Sequence, residues 1–429
     1  MAMAPIMPMA MAMAATRAKR SVSRTERQSP RAWIVRGSLA AVALVVGYGS
    51  TTGTLAFVIA KTNAERAYRL APHDGRVAGE LAEQIVTRNT DNPRRMRGNQ
   101  LARQALADEG LAASALTALA LNAQLSGDTV YARTLFHHSD ALSRREFGTR
   151  LWLIEDAVGR GDIPQALKEY DIALRTTKSA SEVLFPILSE AISDPAIADA
   201  LANRLVAFHP PWGQVFVVHM TGTGAGPTVD AAFLRRLTAR GYPVPATARV
   251  AVVDALVTNG KFDDAWSYYA TFRKGIDRRS SRDPQFNQQP ANPSLFDWKL
   301  AENESGIIAS IRDPGQDGGF EFMTPSTIGG TALQQTQLLP PGRYRIEGVT
   351  SGVDQDAQSQ PYWQLVCNDG RDAGRIELPR SSVDNGRFAG NVVVPANCPA
   401  QVLQLVIRPS SAMEGVSGQV RKVALTPAG

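Results

Sequence analysis

A chain of 429 residues, 44% of them hydrophobic, is long enough for two or three domains and can bury a sizeable core. The net charge of +6 comes from residues 1–36, which carry seven of the 46 basic residues and one of the 40 acidic residues. The remaining 39 residues of each sign cancel. We therefore expect no nucleic-acid partner, because nucleic-acid binding needs basic side chains clustered on a folded face.

The N-terminal region predicts a membrane anchor. Residues 1–32 are rich in Met and Ala and then in Arg, Ser and Thr, and we interpret them as a disordered basic tail. The chain turns apolar at Trp33 and has no charged residue from Gly37 to Ala60, which predicts a transmembrane helix over 33–60. The basic residues before it predict a single-pass inner-membrane protein with a cytoplasmic N-terminus and a periplasmic body. A cleaved signal peptide is the alternative, and the long leader argues against it.

A period of 34 residues runs through the region that follows. The residues in step are turn glycines, small residues and aromatic residues: Gly127 and Gly161, Ala132 and Ala166, Phe136 and Tyr170. Such a period is typical of the tetratricopeptide repeat, which has two antiparallel helices per unit. Asp follows each of the two glycines and can cap the next helix, while Gly tolerates the left-handed backbone of the turn. We therefore predict a TPR-like α-solenoid over 61–276, an architecture that usually holds partners.

The helix pairs are predicted at 75–88 with 93–107, 111–126 with 128–143, and 148–160 with 163–177. After Thr177 the 34-residue period becomes weak, although the sequence still predicts helices over 181–208 and 229–240. His209 to Trp212 and Gly222 to Gly226 interrupt the array, and the turn returns once, at Asn259-Gly260. We do not interpret Gly222 to Gly226 as a phosphate loop, because no Lys-Ser/Thr pair follows it.

The composition changes again near residue 277. Residues 277–294 are polar and rich in proline, and we interpret them as a linker or domain entry. Eight short strand-like runs separated by Gly, Pro, Asn and Asp then predict an all-β sandwich, a jelly roll, over 295–429. The two cysteines, Cys367 and Cys398, lack the neighbours of a zinc site. They form a disulfide if this part is exported, and two separate buried thiols are the alternative.

Four aromatic residues of the sandwich are candidates for contact with a glycan or a partner: Trp298, Tyr344, Tyr362 and Trp363. Tyr362 and Trp363 are consecutive on a predicted strand and therefore face opposite sides, so we expect one of them in the core. For Trp298, at the entry of the domain, a core position is the favoured interpretation.

Several segments resemble, in the same order, a family of bacterial tetratricopeptide-repeat proteins that are anchored in the inner membrane and end in a carbohydrate-binding-module-like jelly roll. The segments are Phe296 to Leu300, Leu339 to Tyr344, Leu365 to Cys367 and Val394 to Gln401, together with His209 to Trp212 and Gly260 to Trp266. The resemblance covers residues 60–429 and implies a role in the export or assembly of exopolysaccharide or capsule. In place of an acidic strand that would hold calcium, this chain has Arg421 and Lys422, and hard cations need oxygen ligands.

The first functional hypothesis is a non-enzymatic scaffold that docks protein subunits of a polysaccharide export or polymerase complex. The alternative is a glycan-binding protein whose sandwich holds the nascent polysaccharide. We find no constellation of a nucleophile and a base, so we expect no enzymatic activity, no cofactor and no metal.

Overall fold

The computed structural model describes residues 30–88, 91–288, 290–301, 306–312, 318–410 and 415–428, with side chains from Trp33 onward. The N-terminal tail expected at 1–32 lies almost entirely outside the described residues. The chain divides into a first unit that ends at His138 and a second unit that begins at Ser139. The predicted order, an apolar helix, a helical region and an antiparallel two-sheet sandwich, is confirmed.

The first unit begins with the predicted apolar helix. From Trp33 to Ile59 this helix is long and apolar enough to cross a membrane, judged by length and composition, and it alone meets that test among the described residues. Short helices follow it closely. The helices of this unit are α1 (Pro30–Ile59), α2 (Ala64–Leu70), α3 (Gly75–Arg88), α4 (Asn92–Asp108), α5 (Ala113–Leu125) and α6 (Thr129–Leu142), the last of which continues into the second unit.

Eight further helices open the second unit. They are α7 (Phe147–Gly159), α8 (Ile163–Thr176), α9 (Ala180–Ala191), α10 (Pro195–Phe208), α11 (Gly213–Thr223), α12 (Pro227–Ala239), α13 (Ala246–Thr258) and α14 (Phe262–Tyr269). Their apolar faces share one core, which includes Leu184, Phe216, Leu234 and Val252.

The glycine–aspartate turns have the geometry that the sequence predicts. Gly127 and Gly161 have φ angles of 87° and 70°, in the left-handed region that favours glycine. The Oδ1 atom of Asp162 accepts the backbone N–H of Gln165 at 3.1 Å and so caps α8. The small and aromatic residues that repeat at 34 residues are buried in their helices: Ala132, Phe136, Ala166 and Tyr170.

The structure differs from the predicted helices in the second half of this region. The predicted helix over 181–208 is two helices, because the chain turns between Ile192 and Asp194 and Asp194 caps α10. A further helix, α11, lies between the two segments that were expected to interrupt the array. Gly222 lies in the last turn of α11, and Gly224 to Gly226 join α11 to α12. This helix–loop–helix setting is not that of a phosphate loop.

The sandwich consists of two five-stranded antiparallel sheets. Sheet A has the strand order β1-β4-β9-β6-β7, and sheet B has the order β2-β3-β10-β5-β8. Their facing sides enclose a core that includes Trp363, Leu403, Phe320 and Val423. The strands are β1 (Lys299–Leu300), β2 (Ile308–Arg312), β3 (Gly319–Thr324), β4 (Gly330–Gln337), β5 (Gly342–Ser351), β6 (Tyr362–Cys367), β7 (Asp372–Glu377), β8 (Arg387–Val394), β9 (Gln401–Ile407) and β10 (Val416–Pro427).

All eight strand-like runs of the sequence are strands, and two strands, β1 and β4, were missed. β1 is only two residues long. β4 reads GTALQQTQ, whose three glutamines hide the apolar alternation of a strand. Two of these glutamines are buried against Arg282 from the segment before the sandwich. Gln335 exchanges hydrogen bonds with the backbone N–H and carbonyl of Arg282, and Gln337 accepts a hydrogen bond from its guanidinium.

The segment 277–294 packs against the sandwich. The backbone N–H of Ser281 donates to the carbonyl of Leu425 at 2.9 Å, and the N–H of Val423 donates to the carbonyl of Pro284 at the same distance. The ring of Phe286 is fully buried in the core of the sandwich. These contacts make the segment part of the sandwich domain, which agrees with a domain entry more closely than with a free linker.

Arg282 is the charged centre of this segment and is buried. Its Nε atom donates to the carbonyl of Phe296 at 2.7 Å, its Nη1 atom donates to Oε1 of Gln337 at 3.2 Å, and its Nη2 atom donates to the carbonyl of Thr336. The guanidinium also lies 5.5 Å from the ring centre of Trp266 on α14. Burial lowers the pKa of Arg282 to about 10, so the guanidinium remains charged at neutral pH.

The Arg282 guanidinium should stabilise the protein through its three hydrogen bonds to buried oxygen atoms. In an Arg282→Met variant of similar volume, two carbonyls and one amide oxygen lose their donor, at about 1–3 kcal/mol each. We expect the free energy of unfolding to fall by about 3 kcal/mol or more, measured by denaturant titration. The matched control is Arg387→Met on the exposed side of β8, which should change it by less than about 0.5 kcal/mol. Equal stability of the two variants would contradict this role.

Candidate functional site

Three of the four candidate aromatic residues lie in the core of the sandwich. Trp298 and Tyr344 are 5% and 3% exposed, and Trp363 is fully buried. Each of the first two has a polar partner: the Trp298 Nε1–H donates to the carbonyl of Asp283, and the Tyr344 hydroxyl donates to the carbonyl of Pro340. Tyr362 is half-buried on the outer face of sheet A. The expectation that Tyr362 and Trp363 face opposite sides is therefore confirmed, with Trp363 inside.

The ring of Tyr362 is held between charged side chains. The guanidinium carbon of Arg408 lies 4.4 Å from the ring centre, and that of Arg375 lies at 5.7 Å. Both terminal nitrogens of Arg408 donate to the carboxylate of Glu377, at 2.6 and 2.7 Å. This paired bond raises the pKa of Arg408 above its ordinary value. The aromatic ring is thus positioned by cation–π contacts and a bidentate ion pair.

A row of long polar side chains crosses the same face beside Tyr362. The strand register places five residues next to one another, one from each strand of sheet A: Arg375, Gln364, Gln404, Gln334 and Lys299. Residues that are directly paired on antiparallel strands point to the same face. The Gln404 side-chain amide donates to Oε1 of Gln364 at 3.3 Å, so the row presents amide donors and acceptors in an ordered line.

The row ends beside the helical region of the second unit. The Lys299 ammonium lies 3.0 Å from Oδ2 of Asp254 on α13, and Oδ1 of Asp254 accepts the backbone N–H of Leu295 at 2.7 Å. A groove of about 860 Å³ opens next to this end and is lined by residues that include Trp298, Lys299 and Gln334. The row of polar side chains therefore leads into this groove at the β1 edge of sheet A, where an extended ligand could continue.

A smaller cavity of about 330 Å³ lies where α14 meets the sandwich, and Arg282, Asp283 and Asp297 line it. Its carboxylates are engaged in local hydrogen bonds. Oδ1 of Asp297 accepts the Tyr269 hydroxyl at 2.7 Å, and the Asp283 carboxylate accepts backbone N–H groups of the following turn. Burial also raises the pKa of Tyr269, which keeps this hydroxyl a donor. The cavity therefore serves the contact between helices and sandwich.

Cys367 and Cys398 are joined in a disulfide that spans 31 residues of sequence. Cys367 is the last residue of β6 and is paired with Gln401 of β9, and the backbone N–H of Asn368 donates to the carbonyl of Ala400 at 2.9 Å. The disulfide therefore fastens the ends of the two strands that carry Tyr362, Gln364 and Gln404.

Apart from Tyr362, the residues of this face were not singled out from the sequence. Glutamines on separate strands are brought into one row by strand pairing, which no local motif encodes. Arg408 lies just beyond β9, and its partner Glu377 ends β7, so their contact depends on the strand order of sheet A. β9, QVLQLVI, gives no local signal for a polar face, because Gln404 is its one outward glutamine while Gln401 is buried.

No protein-family model and no curated protein matches the chain. Solved structures are similar to it over about a third of its length. The enzymatically active domain of bacteriophage CBA120 tailspike protein 4 is 12% identical with a TM-score of 0.24, and the match covers 36% of this chain and 21% of that one. TmCBM61 in complex with β-1,4-galactotriose is 11% identical with a TM-score of 0.24, and the match covers 36% of this chain and 99% of that one.

A carbohydrate-binding module of Cellvibrio mixtus lichenase 5A, in complex with cellotriose, is 12% identical with a TM-score of 0.20, and the match covers 31% of this chain and 98% of that one. At such low identity, the ligand of the sandwich has to be argued from the chemistry of its own surface.

The disulfide predicts a measurable loss of stability when it is removed. Closing a loop of 31 residues contributes about 3–4 kcal/mol in the chain-entropy model. Replacing both cysteines by serine should therefore lower the free energy of unfolding by about that amount, and adding reductant to the unmodified protein should give the same loss. Mass spectrometry of non-reduced protein isolated from the producing cells should show a peptide pair that contains Cys367 and Cys398. Two alkylatable thiols in that sample would contradict the pairing.

Proposed function

We propose that this chain is a membrane-anchored, non-enzymatic protein that binds polysaccharide on the outer face of sheet A. The observation that carries the proposal is the row of five polar side chains beside the half-buried ring of Tyr362. Sugars offer C–H faces that pack on aromatic rings and vicinal hydroxyls that bond to amides and charged groups. A row that crosses all five strands of sheet A suits a polymer better than a single sugar unit.

The charges of this face favour a polymer that contains carboxylates. Glu377 is paired in two bonds with Arg408, whereas the nearest approach of Arg375 to Glu377 is 3.6 Å. Arg375 is 56% exposed in its side chain and is available to a ligand. A guanidinium presents a planar pair of donors that matches a carboxylate. The proposed ligand is therefore a polysaccharide with uronic or other acidic units.

We further propose that α1 is a transmembrane anchor in the inner membrane and that the sandwich lies on the periplasmic side. The apolar helix, the basic residues before it and the disulfide support this arrangement. The setting in exopolysaccharide or capsule assembly rests on the resemblance described for residues 60–429.

Direct binding tests the glycan proposal. Calorimetry with the full chain in nanodiscs should detect acidic oligosaccharides, and Tyr362→Ala should weaken binding about fivefold, since packing a sugar on an aromatic ring is worth on the order of 1 kcal/mol. Tyr362→Phe should keep most of the affinity, because it keeps the ring. Gln404→Ala should weaken binding as well, through the lost amide.

Matched controls are Tyr131→Ala on α6 and Gln214→Ala on α11, two exposed residues of the same types elsewhere in the chain. Both should bind normally, and circular dichroism should show that all variants are folded. Unchanged affinity in Tyr362→Ala and Gln404→Ala would refute the site. Absence of binding to both acidic and neutral oligosaccharides at millimolar concentration would refute the function.

A second candidate function, docking of protein subunits of an export or polymerase complex, is favoured by an exposed apolar surface on α9 and α11. These two helices are in contact, and Val183, Ile187, Val215 and Val218 are 44–61% exposed on them. Their inward residues, such as Phe185 and Phe216, pack in the core, so the outward valines and isoleucine are additional to what folding needs.

In-membrane crosslinking tests the docking candidate. A photoreactive amino acid at Ile187 or Val215 should give discrete adducts in native membranes, and the same probe at exposed Glu182 on α9 should give fewer. Ile187→Lys should abolish the adducts formed at Val215, because a charge cannot be buried cheaply in an apolar contact. Adducts of equal yield at all three positions would contradict a specific interface.

A further inference from the structure

A groove in the first unit lies beside the end of the apolar helix. It has a volume of about 570 Å³ and is formed by α2, α3 and α4. Its polar lining is dominated by arginines and amides: Arg69, Arg94, Arg97, Gln100 and Gln104, with Glu65 as the one acidic member. Its arginines distinguish this groove from the apolar surface on α9 and α11 of the second unit.

Contacts fix the groove against the last turn of α1. Tyr68, which lines the groove, also packs on a cluster that contains Ala56 of α1 and Ala60 just after it. The Gln84 side chain of α3 donates to the carbonyls of Ala60 and Lys61, both at 3.3 Å. Where α1 crosses a bilayer, the groove therefore lies near the membrane–water boundary.

Residues 61–108, which form the groove and its surroundings, carry a net positive charge that the rest of the body does not. Residues 61–108 contain nine basic and six acidic residues, whereas residues 109–429 contain 30 basic and 33 acidic ones. The excess positive charge of the body is thus confined to the part next to α1. Among the described residues, Arg97 makes no ion pair. Arg94 approaches Asp91 to 3.7 Å and Arg69 approaches Glu65 to 3.9 Å, with all four side chains at least 50% exposed. Exposed pairs of this kind contribute little and can exchange partners.

An exposed apolar side chain accompanies these arginines. Met96 is 59% exposed and stands between Arg95 and Arg97 at the start of α4, and Leu70, at the end of α2, is 38% exposed. Arginines that flank an exposed apolar residue are typical of segments that lie in the interfacial region of a bilayer, where the cations meet lipid phosphates and the apolar group reaches the acyl boundary.

We infer that the α2–α4 groove binds the headgroups of anionic phospholipids, with Arg94 and Arg97 as the phosphate-binding residues and Met96 inserted at the acyl boundary. The inference rests on the proposed transmembrane anchor. It adds a specific lipid contact that orients the first helices on the bilayer surface, in contrast to an anchor that is indifferent to lipid composition. Each arginine near an anionic surface contributes on the order of 1 kcal/mol, or roughly a fivefold preference.

The test uses the full chain with Met96→Cys. The sequence has only two cysteines, which are joined, so this substitution supplies a thiol for an environment-sensitive fluorophore. The protein is reconstituted into vesicles of phosphatidylcholine alone or with phosphatidylglycerol, each with a trace of lipid carrying a nitroxide on the headgroup. We expect stronger quenching in the phosphatidylglycerol vesicles. About 1 M salt should remove the difference, because it shortens the screening length to about 3 Å.

The variants identify the groove. Arg94→Gln with Arg97→Gln should reduce the preference for phosphatidylglycerol about 20-fold, as expected for two surface charges. The control is Arg103→Gln, which removes an exposed charge from the same helix outside the groove and should leave most of the preference in place. Circular dichroism of each variant checks that the helices are intact.

The outcomes separate the groove from the anchor on which it depends. Protein that does not float with vesicles of either composition would refute the anchor and the lipid site together. Protein that floats but shows equal quenching in both lipids, or an unchanged preference in the double variant, would refute the lipid site and leave the anchor standing. Equal losses in the double variant and in Arg103→Gln would also refute it, because they would indicate attraction by net charge without a defined site.

Discussion

The buried guanidinium of Arg282 is the interaction on which the second unit depends. It enters the sandwich from the preceding segment, satisfies two carbonyls and an amide oxygen there, and faces the ring of Trp266 on α14. A charge in this position is costly unless its donors are used. Arg282 belongs to the entry segment, its acceptors are Phe296 just before β1 and two residues of β4, and the ring comes from the helices. The guanidinium therefore fixes these parts relative to one another. The same contact surface contains the hydrogen bond from Tyr269 to Asp297.

The contact around Arg282 explains why the sequence predicted the helical region and the sandwich better than the segment that connects them. Turn glycines and alternating strands act locally, so their positions were read correctly from Gly161 or from the run over β9. Within the polar segment 277–294, Arg282 is buried and charged because its donors bind the acceptors that face it. Two glutamines of β4 supply partners for the same residue: Gln337 accepts from the Arg282 guanidinium, and Gln335 binds the Arg282 backbone. Each segment reads as a loop alone, and only their pairing shows that both belong to a folded interior.

In the candidate site, too, local patterns were predictable from the sequence and contacts between distant segments were not. Alternation along β6 was enough to predict that Tyr362 and Trp363 face opposite sides, but the sequence did not say which one faces out. The row of Arg375, Gln364, Gln404, Gln334 and Lys299 comes from strands far apart in sequence, in the spatial order β7, β6, β9, β4 and β1. Which polar residues become neighbours is therefore a consequence of sheet topology. Sequence reasoning found the aromatic member of the site because aromatic residues are few, and missed the glutamines because exposed glutamines are common.

A site on the outer face of a sheet is only as rigid as the strands beneath it. Gln364 and Gln404 lie on β6 and β9, which the disulfide fastens at one end and the core side chains Leu365 and Leu403 hold from below. At the other end of the row, Lys299 is tied to Asp254 of α13, so the helices brace the sheet through an ion pair. Weak polar contacts with sugars gain affinity when the protein groups are already ordered, because less conformational entropy is lost on binding. The buried charge, the disulfide and the ion pair thus contribute to the proposed function indirectly, by keeping a line of flexible amides in one arrangement.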